Sequence, residues 1–389
     1  MWKGFKVIDA DAHMHEPQYL WERYVEPAYR DQVPKVAFMD GAFMVYEPDG
    51  RIIPKIEKQP KLPATAWADM EAKYGEQYRT WWSAETRLKD MDTHGWDVQV
   101  LLPTGNNGNF AYRVALKDAK LGAAMCRAYN NWCRDYCDAD PKRLKFVAVL
   151  PAPDTEAMLV EARRAVEELG AVSVRNPFLP EGRWLHEPEY DALWQLACEL
   201  DFPISVHGEY RQRRFHPFAG GNRGNVDDGD MQQLALRGLD HALGFPCDNM
   251  ATMGQFIFTG ILERFPKLRL GILESNVGWV PFWLGRMDEH THGRNSVMGN
   301  AVERLPMLPS EYFKRQITVT CDSDETALSY AADHLDGENI AWNTDYPHPD
   351  APRPEKALPD LDAQPISDEA KAKILWDNAV TLFGPRILG

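Results

Sequence analysis

"VIDADAHMHEP", residues 7–17, sets two aspartates, two histidines and a glutamate behind an apolar pair, Val7 and Ile8. On a β-strand alternate residues share a face, so Asp9, Asp11, His13 and His15 project together. A buried face with four ionisable groups is costly unless the charges are paired or hold a cation. The stretch therefore reads as one of two things. Either it is an edge strand whose polar face meets water, or it is a first strand presenting metal ligands at its C-terminal end.

Seven further β-rich runs follow: "DVQVLLPT" at 97–104, "KFVAVLPA" at 145–152, "AVSVRNP" at 171–177, "PISVHGE" at 203–209, "LRLGILES" at 268–275, "QITVTCD" at 316–322 and "IAWNTDYPH" at 340–348. Helical patterns lie between them. One is "DTEAMLVEARRAVEELG" at 154–170, with Asp154 and Thr155 as N-cap candidates and Gly170 as the C-cap. Strands alternating with helices pair in parallel, and eight of them predict an α/β fold of the (β/α)8 barrel type. In that fold the reactive side chains stand at the C-terminal strand ends. His13, His207, Glu274, Asp322 and Asp345 all fall there, each after the apolar part of its run. A doubly wound open sheet is the competing architecture, but no GxGxxG follows the first run to support it.

The expected organisation is one barrel domain over residues 1–389 with an insertion at about 30–90. Within the insertion, "FMVYEPDGRIIPK" at 43–55 reads as a hairpin turning at Pro48, Asp49 and Gly50. The segment after it is proline-rich and polar, and suits a lid, a dimer contact or a surface excursion. A glycine-rich stretch at 218–230 follows His207 and is a candidate loop over the site.

Composition narrows the function. The net charge of -15, from 43 basic and 58 acidic residues, argues against nucleic acid and anionic membrane as partners. No apolar window is long enough for a membrane span. Residues 1–10 run into the first strand without a signal-peptide pattern, so the expectation is a cytoplasmic protein. The six cysteines form no CxxC pair and read as reduced packing residues. The 13 tryptophans fit a large core, or a pocket for a flat substrate.

His207 would by itself be an ordinary core histidine. On a barrel rim shared with the 7–17 cluster and Asp345, it completes a set of imidazole nitrogens and carboxylate oxygens suited to Zn2+ or Mn2+. At this point the chain resembles the amidohydrolase superfamily. More closely, it is similar to the amidohydrolase-related branch that includes aminocarboxymuconate-semialdehyde decarboxylase and γ-resorcylate decarboxylase. The likeness runs through "RLKDMDTHGWDVQVLLPT" (87–104), "NNWCRDYCDADPKRLKFVAVLP" (130–151), "ILERFPKLRLGILESNVGWVPFWLGRMDE" (261–289), "NTDYPHPD" (343–350) and "ILWDNAVTLFG" (374–384).

The resemblance implies a first motif of either HxH or acidic-x-His form, and both registers are present. Asp11 with His13 is preferred over His13 with His15, which leaves His15 at the rim toward substrate. His207 and Asp345 are then the third and fourth ligands of one divalent metal ion, with Asp345 also carrying a proton. Glu274 stands where many superfamily members have a histidine. It is a candidate to orient a ligand, bind a substrate hydroxyl, or pair structurally with Arg286. His241 is the candidate replacement imidazole. Arg175, Asn176 and His348 are candidate substrate contacts, Arg175 because its guanidinium fork matches a carboxylate. The implied activity is non-oxidative decarboxylation of a small hydroxylated aromatic or unsaturated carboxylic acid, with hydrolysis of an ester, lactone or amide, or hydration, as alternatives at the same site. A homodimer or homotetramer is the implied assembly. A scaffold that had lost its chemistry would show eroded ligands, and all four are present.

Overall fold

Strands covered on both faces read as nearly unbroken apolar runs, and each of the eight runs forms one. The computed structural model describes residues 1–17, 19–33, 35–39, 42–46, 70–104, 108–180, 182–208, 231–291, 305–348 and 350–389. In chain order the strands are β1 (Ile8–Met14), β2 (Lys35–Met39), β3 (Ala42–Tyr46), β4 (Val98–Pro103), β5 (Leu144–Ala148), β6 (Ser173–Arg175), β7 (Ile204–His207), β8 (Leu270–Leu273), β9 (Ile317–Cys321) and β10 (Ile340–Trp342). Apart from β2 and β3, all belong to one sheet in the order β1-β4-β5-β6-β7-β8-β9-β10, and every pairing is parallel. The doubly wound alternative would interrupt that sequential order.

The principal helices between the strands are α1 (Ala84–His94), α2 (Ala119–Cys137), α3 (Thr155–Glu167), α4 (Asp191–Leu200), α5 (Met231–Phe258), α6 (Val280–Thr291), α7 (Leu328–His334) and α8 (Pro354–Ala363). This is a (β/α)8 barrel. Ser83, Asp118 and Asp154 cap α1, α2 and α3 by accepting from backbone N–H groups three residues on. Helix α3 ends at Glu167 rather than running to 170, and Gly170 lies beyond it at φ +78° in the turn toward β6.

The N-terminal ends of the strands are plugged. Ile8, Ala10, Val100, Val147 and Leu273 pack with Ala379, Leu382, Phe383 and Ile387 from the C-terminal segment. Arg269, just before β8, donates to the Leu382 carbonyl at 2.8 Å. A Cβ on Gly271 would come within 2.9 Å of Leu382, so glycine permits the close approach. The opposite rim is left for chemistry.

At the seam between β1 and β10 the closing bonds come from the strand ends. Thr344 N donates to Asp9 Oδ1 at 3.0 Å, Asp345 N to the Asp11 carbonyl at 3.0 Å, and His13 N to the Tyr346 carbonyl at 2.7 Å.

The hairpin expected at 43–55 falls mostly outside the described residues, with Pro48, Asp49 and Gly50 among those; its first residues belong to β3, which pairs antiparallel with β2, Met39 opposite Ala42. One sequence expectation needs correction. The single ligand face is broken. Between Asp9 opposite Gln99 and Ala12 opposite Leu101, β1 advances three residues while β4 advances two. Such a bulge re-aims the side chains after it. The stretch at 218–230 lies outside the described residues. Among the described residues no helix is long and apolar enough to cross a membrane.

Candidate metal centre and active site

The bulge turns Asp11 and His13 toward the end of β7. Ligand-capable atoms of Asp11, His13 and His207 lie within 4.8 Å of one another. His13 Nε2 is 3.5 Å from Asp11 Oδ1 and 3.0 Å from Asp345 Oδ1. Asp345 reaches this point from the loop after β10, at φ +55°. His207 Nε2 lies 2.5 Å from Glu274 Oε2, and Glu274, at φ +48°, immediately follows β8. Left-handed backbone at two non-glycine residues persists only where the surroundings hold it, and such residues cluster at functional sites.

The hydrogen bonds set the tautomers. His13 Nδ1 donates to the Pro103 carbonyl at 3.1 Å, and His207 Nδ1 donates to the Gly208 carbonyl at 3.0 Å. A carbonyl only accepts, so each Nδ1 carries the proton and each Nε2 keeps a lone pair. Burial above all holds both imidazoles down at about 3, with His348 opposing protonation of His13 and Arg175 that of His207. Both are neutral donors at pH 7.

Both Asp11 oxygens, His13 Nε2, His207 Nε2, Glu274 Oε2 and Asp345 Oδ1 are buried without a hydrogen-bond partner among the described residues. Burial, reinforced by the Glu274 and Asp345 charges, pushes the Asp11 carboxyl well above the usual range. Burial and Asp345 raise Glu274 in the same way. Three buried carboxylates with unpartnered oxygens, beside two imidazole lone pairs, make a donor set that fits a divalent cation.

Asp345 itself behaves differently. Burial acts against its charge, yet His348 and His13 beside it prevail and hold it well below the usual carboxylate range. His348 Nδ1 donates to Asp345 Oδ2 at 2.9 Å, and its ring stacks on His13 with centroids 4.0 Å apart. Burial opposes the charged ring, but Asp345 pushes His348 up to about 10. His13, Asp345 and His348 form a second cluster able to hold an ion.

The other expected residues are dispersed. His15 leaves the cluster and stacks on Trp82 at 4.1 Å, edge-on to Trp81. Arg175 ends β6, 3% exposed, with its guanidinium over the Tyr112 ring. Asn176 lines a cavity with His207. His241 falls within α5, and its side chain lies outside what the structure describes. The pairing of Glu274 with Arg286 does not form: Arg286 contacts Glu289 at 3.5 Å on the surface of α6, while Glu274 turns inward to His207.

Sequence reasoning missed the support beneath the site. Asp9, wholly buried, accepts from Gln99 Nε2 at 2.9 Å and from both the backbone and hydroxyl of Thr344. Burial raises Asp9 to about 7 although these bonds pull it down. Arg87, also wholly buried, donates to Gln99, the Tyr136 hydroxyl and the His13 carbonyl. The available signal was a charged residue on the buried face of α1, between Ala84 and Met91.

Comparison with known proteins adds the following. The family model described as Amidohydrolase matches residues 8–384. The chain is 24% identical over 306 residues to the 2-amino-3-carboxymuconate-6-semialdehyde decarboxylase of Dictyostelium discoideum, covering 78% of this chain and 77% of that one. It is 24% identical over 336 residues to the gamma-resorcylate decarboxylase of Rhizobium radiobacter, covering 83% and 91%. A 5-carboxyvanillate decarboxylase from Novosphingobium aromaticivorans DSM 12444, solved with manganese and 4-hydroxy-3-methoxy-5-nitrobenzoic acid, shares the fold. Its TM-score is 0.66 at 19% identity, with 98% of this chain and 97% of that chain covered.

Proposed function

The chain belongs to the amidohydrolase family and is an enzyme, and from that premise we propose that it is a metal-dependent, non-oxidative decarboxylase of a small hydroxylated aromatic carboxylic acid. The observation that carries this reading is that unsatisfied buried atoms of Asp11, His13 and His207 gather within 4.8 Å of one another, while His13 also groups with Asp345 and His348. The relatives named as decarboxylases, one of them solved with manganese and a hydroxybenzoic acid analogue, support the reaction and the cation.

In this reading those four residues hold one Zn2+ or Mn2+ ion. When bound, the ion would supply positive charge that aligns the substrate and stabilises developing anionic character. The remaining work falls to the chain. Arg175 and Asn176, at the end of β6, offer donors to the substrate oxygens. Asp345 has one oxygen facing the site, and its carboxylate is backed by the His348 imidazole. It is placed to relay a proton, received from the protonated His348, to the ring carbon that bears the carboxylate. The bond from that carbon to the carboxyl then breaks, its electron pair returns to the ring, and CO2 leaves. Asp345 recovers a proton through His348.

Asp345→Asn keeps the size of the side chain and removes the carboxylate that relays the proton. The expected result is retained fold and a loss of CO2 release of about 10²- to 10⁴-fold. Near-normal turnover would remove Asp345 from the reaction.

A further inference from the structure

The cavity beside His207 has a wall that the reaction above leaves without a task. Asn176, Phe178 and His207 form one side, and Asp248, Asn249 and Thr252 from one turn of α5 form the other. These positions share a helix face. Their exposures are 4%, 1% and 7% for Asp248, Asn249 and Thr252. The Asn249 amide has a fixed orientation, because Nδ2 donates to the Leu273 carbonyl, one residue before Glu274, at 2.7 Å. Its Oδ1 therefore faces away from that bond, and it is buried with no hydrogen-bond partner among the described residues.

The chemistry of this wall is one-sided. An ionised Asp248 only accepts, Asn249 presents its oxygen, and a threonine hydroxyl accepts as readily as it donates. A substrate carboxylate here would face Asp248, and an apolar group would leave the Asn249 oxygen unsatisfied. A donor on the ligand satisfies the Asn249 oxygen.

We propose that the Asp248–Asn249–Thr252 wall is a subsite for a hydrogen-bond-donating substituent, a ring hydroxyl of the aromatic acid, with Asn249 as the specificity-determining residue. This rests on the decarboxylase reading for the rest of the ligand's identity. Specificity built on a buried acceptor discriminates strongly, since an analogue without the donor leaves the protein group unpaired.

The test uses the Mn2+-loaded protein and benzoates that carry hydroxyl, methoxy or hydrogen at the same ring position. Binding is followed by calorimetry and CO2 by headspace analysis. The wild type is expected to bind the hydroxyl compound at least about tenfold more tightly than either analogue. Asn249→Ala collapses that preference to about twofold or less. Because this variant also removes the bond to Leu273, Thr252→Val, which leaves it intact, is measured in parallel and shifts the ratio in the same direction. Metal content is determined for each protein. Equal binding of all three compounds, no binding of any, or a preference unchanged in both variants overturns the subsite. A hydroxyl preference that Asn249→Ala abolishes, without CO2 release, keeps the subsite and rejects the decarboxylase; CO2 release without the preference does the reverse.

Discussion

His13 and His15 stand two residues apart and end in different surroundings. His13 joins the buried cluster, whereas His15 lies against Trp82. Strict alternation would have kept them together; β1 ends at Met14, before His15, and that end separates them. Nothing in "VIDADAHMHEP" announces it, nor the bulge before Ala12, which lies upstream of both histidines and sets Asp9 apart, so the residues alone left Asp11 and His15 competing for one role. The same irregularity hid Asp9, which drops below the cluster to hold Thr344. Asp11→Ala should weaken metal affinity by at least about 100-fold in chelator competition, while His15→Ala retains near-stoichiometric metal. The opposite pattern would move the centre by one register.

The strands were the easiest elements to read, because a strand buried between lumen and helices is continuously apolar, as in "VQVLLP" of β4. The loops at their ends were not. The turn after β8 carries Glu274 and Asn276 in left-handed conformation, and it is pinned from the next strand end. Glu325 accepts from Val277 N at 2.8 Å and Gly278 N at 2.6 Å, and Asp322 accepts from Asn276 at 2.7 Å. Such long-range anchoring leaves no local pattern in sequence. Burial raises Glu325 from 4.5 to about 7, against the pull of those N–H groups. The folded chain therefore holds this proton to higher pH than the unfolded chain does. The associated stability is fully present below about pH 4.5 and is lost as pH rises toward 7. Glu325→Gln should flatten that slope, by a difference on the order of 2 kcal/mol between about pH 4.5 and pH 7.5 in denaturant titrations. Parallel pH profiles for the two proteins would contradict the assignment.

At the scale of the whole molecule, the site and the closure of the barrel are one construction. Asp9, Asp11 and His13 bond across the seam to Thr344, Asp345 and Tyr346. Positions so far apart in the chain could be associated beforehand only through the rule that a barrel gathers its reactive residues at the C-terminal strand ends. That rule, applied to eight runs, is why most of the candidate cluster was legible. The contacts that the insertion makes with the strand-end loops were not. The later part of the insertion reaches back to them: Lys73 and Tyr74 donate to the His348 carbonyl, and Trp81 donates to that of Glu16. Trp81 and Trp82 stand at φ +53° and +48°, a conformation their side chains disfavour and no propensity argument would assign.

The most direct measurement is mass spectrometry of the products formed when the protein, loaded with Zn2+ or Mn2+, meets a mixed panel of hydroxybenzoates, unsaturated acids, lactones and esters. The account predicts a hydroxybenzoate product lighter by CO2, formed only with metal present. A product heavier by water, with every carboxylate intact, would contradict it and make the same cluster the centre of a hydrolase or hydratase.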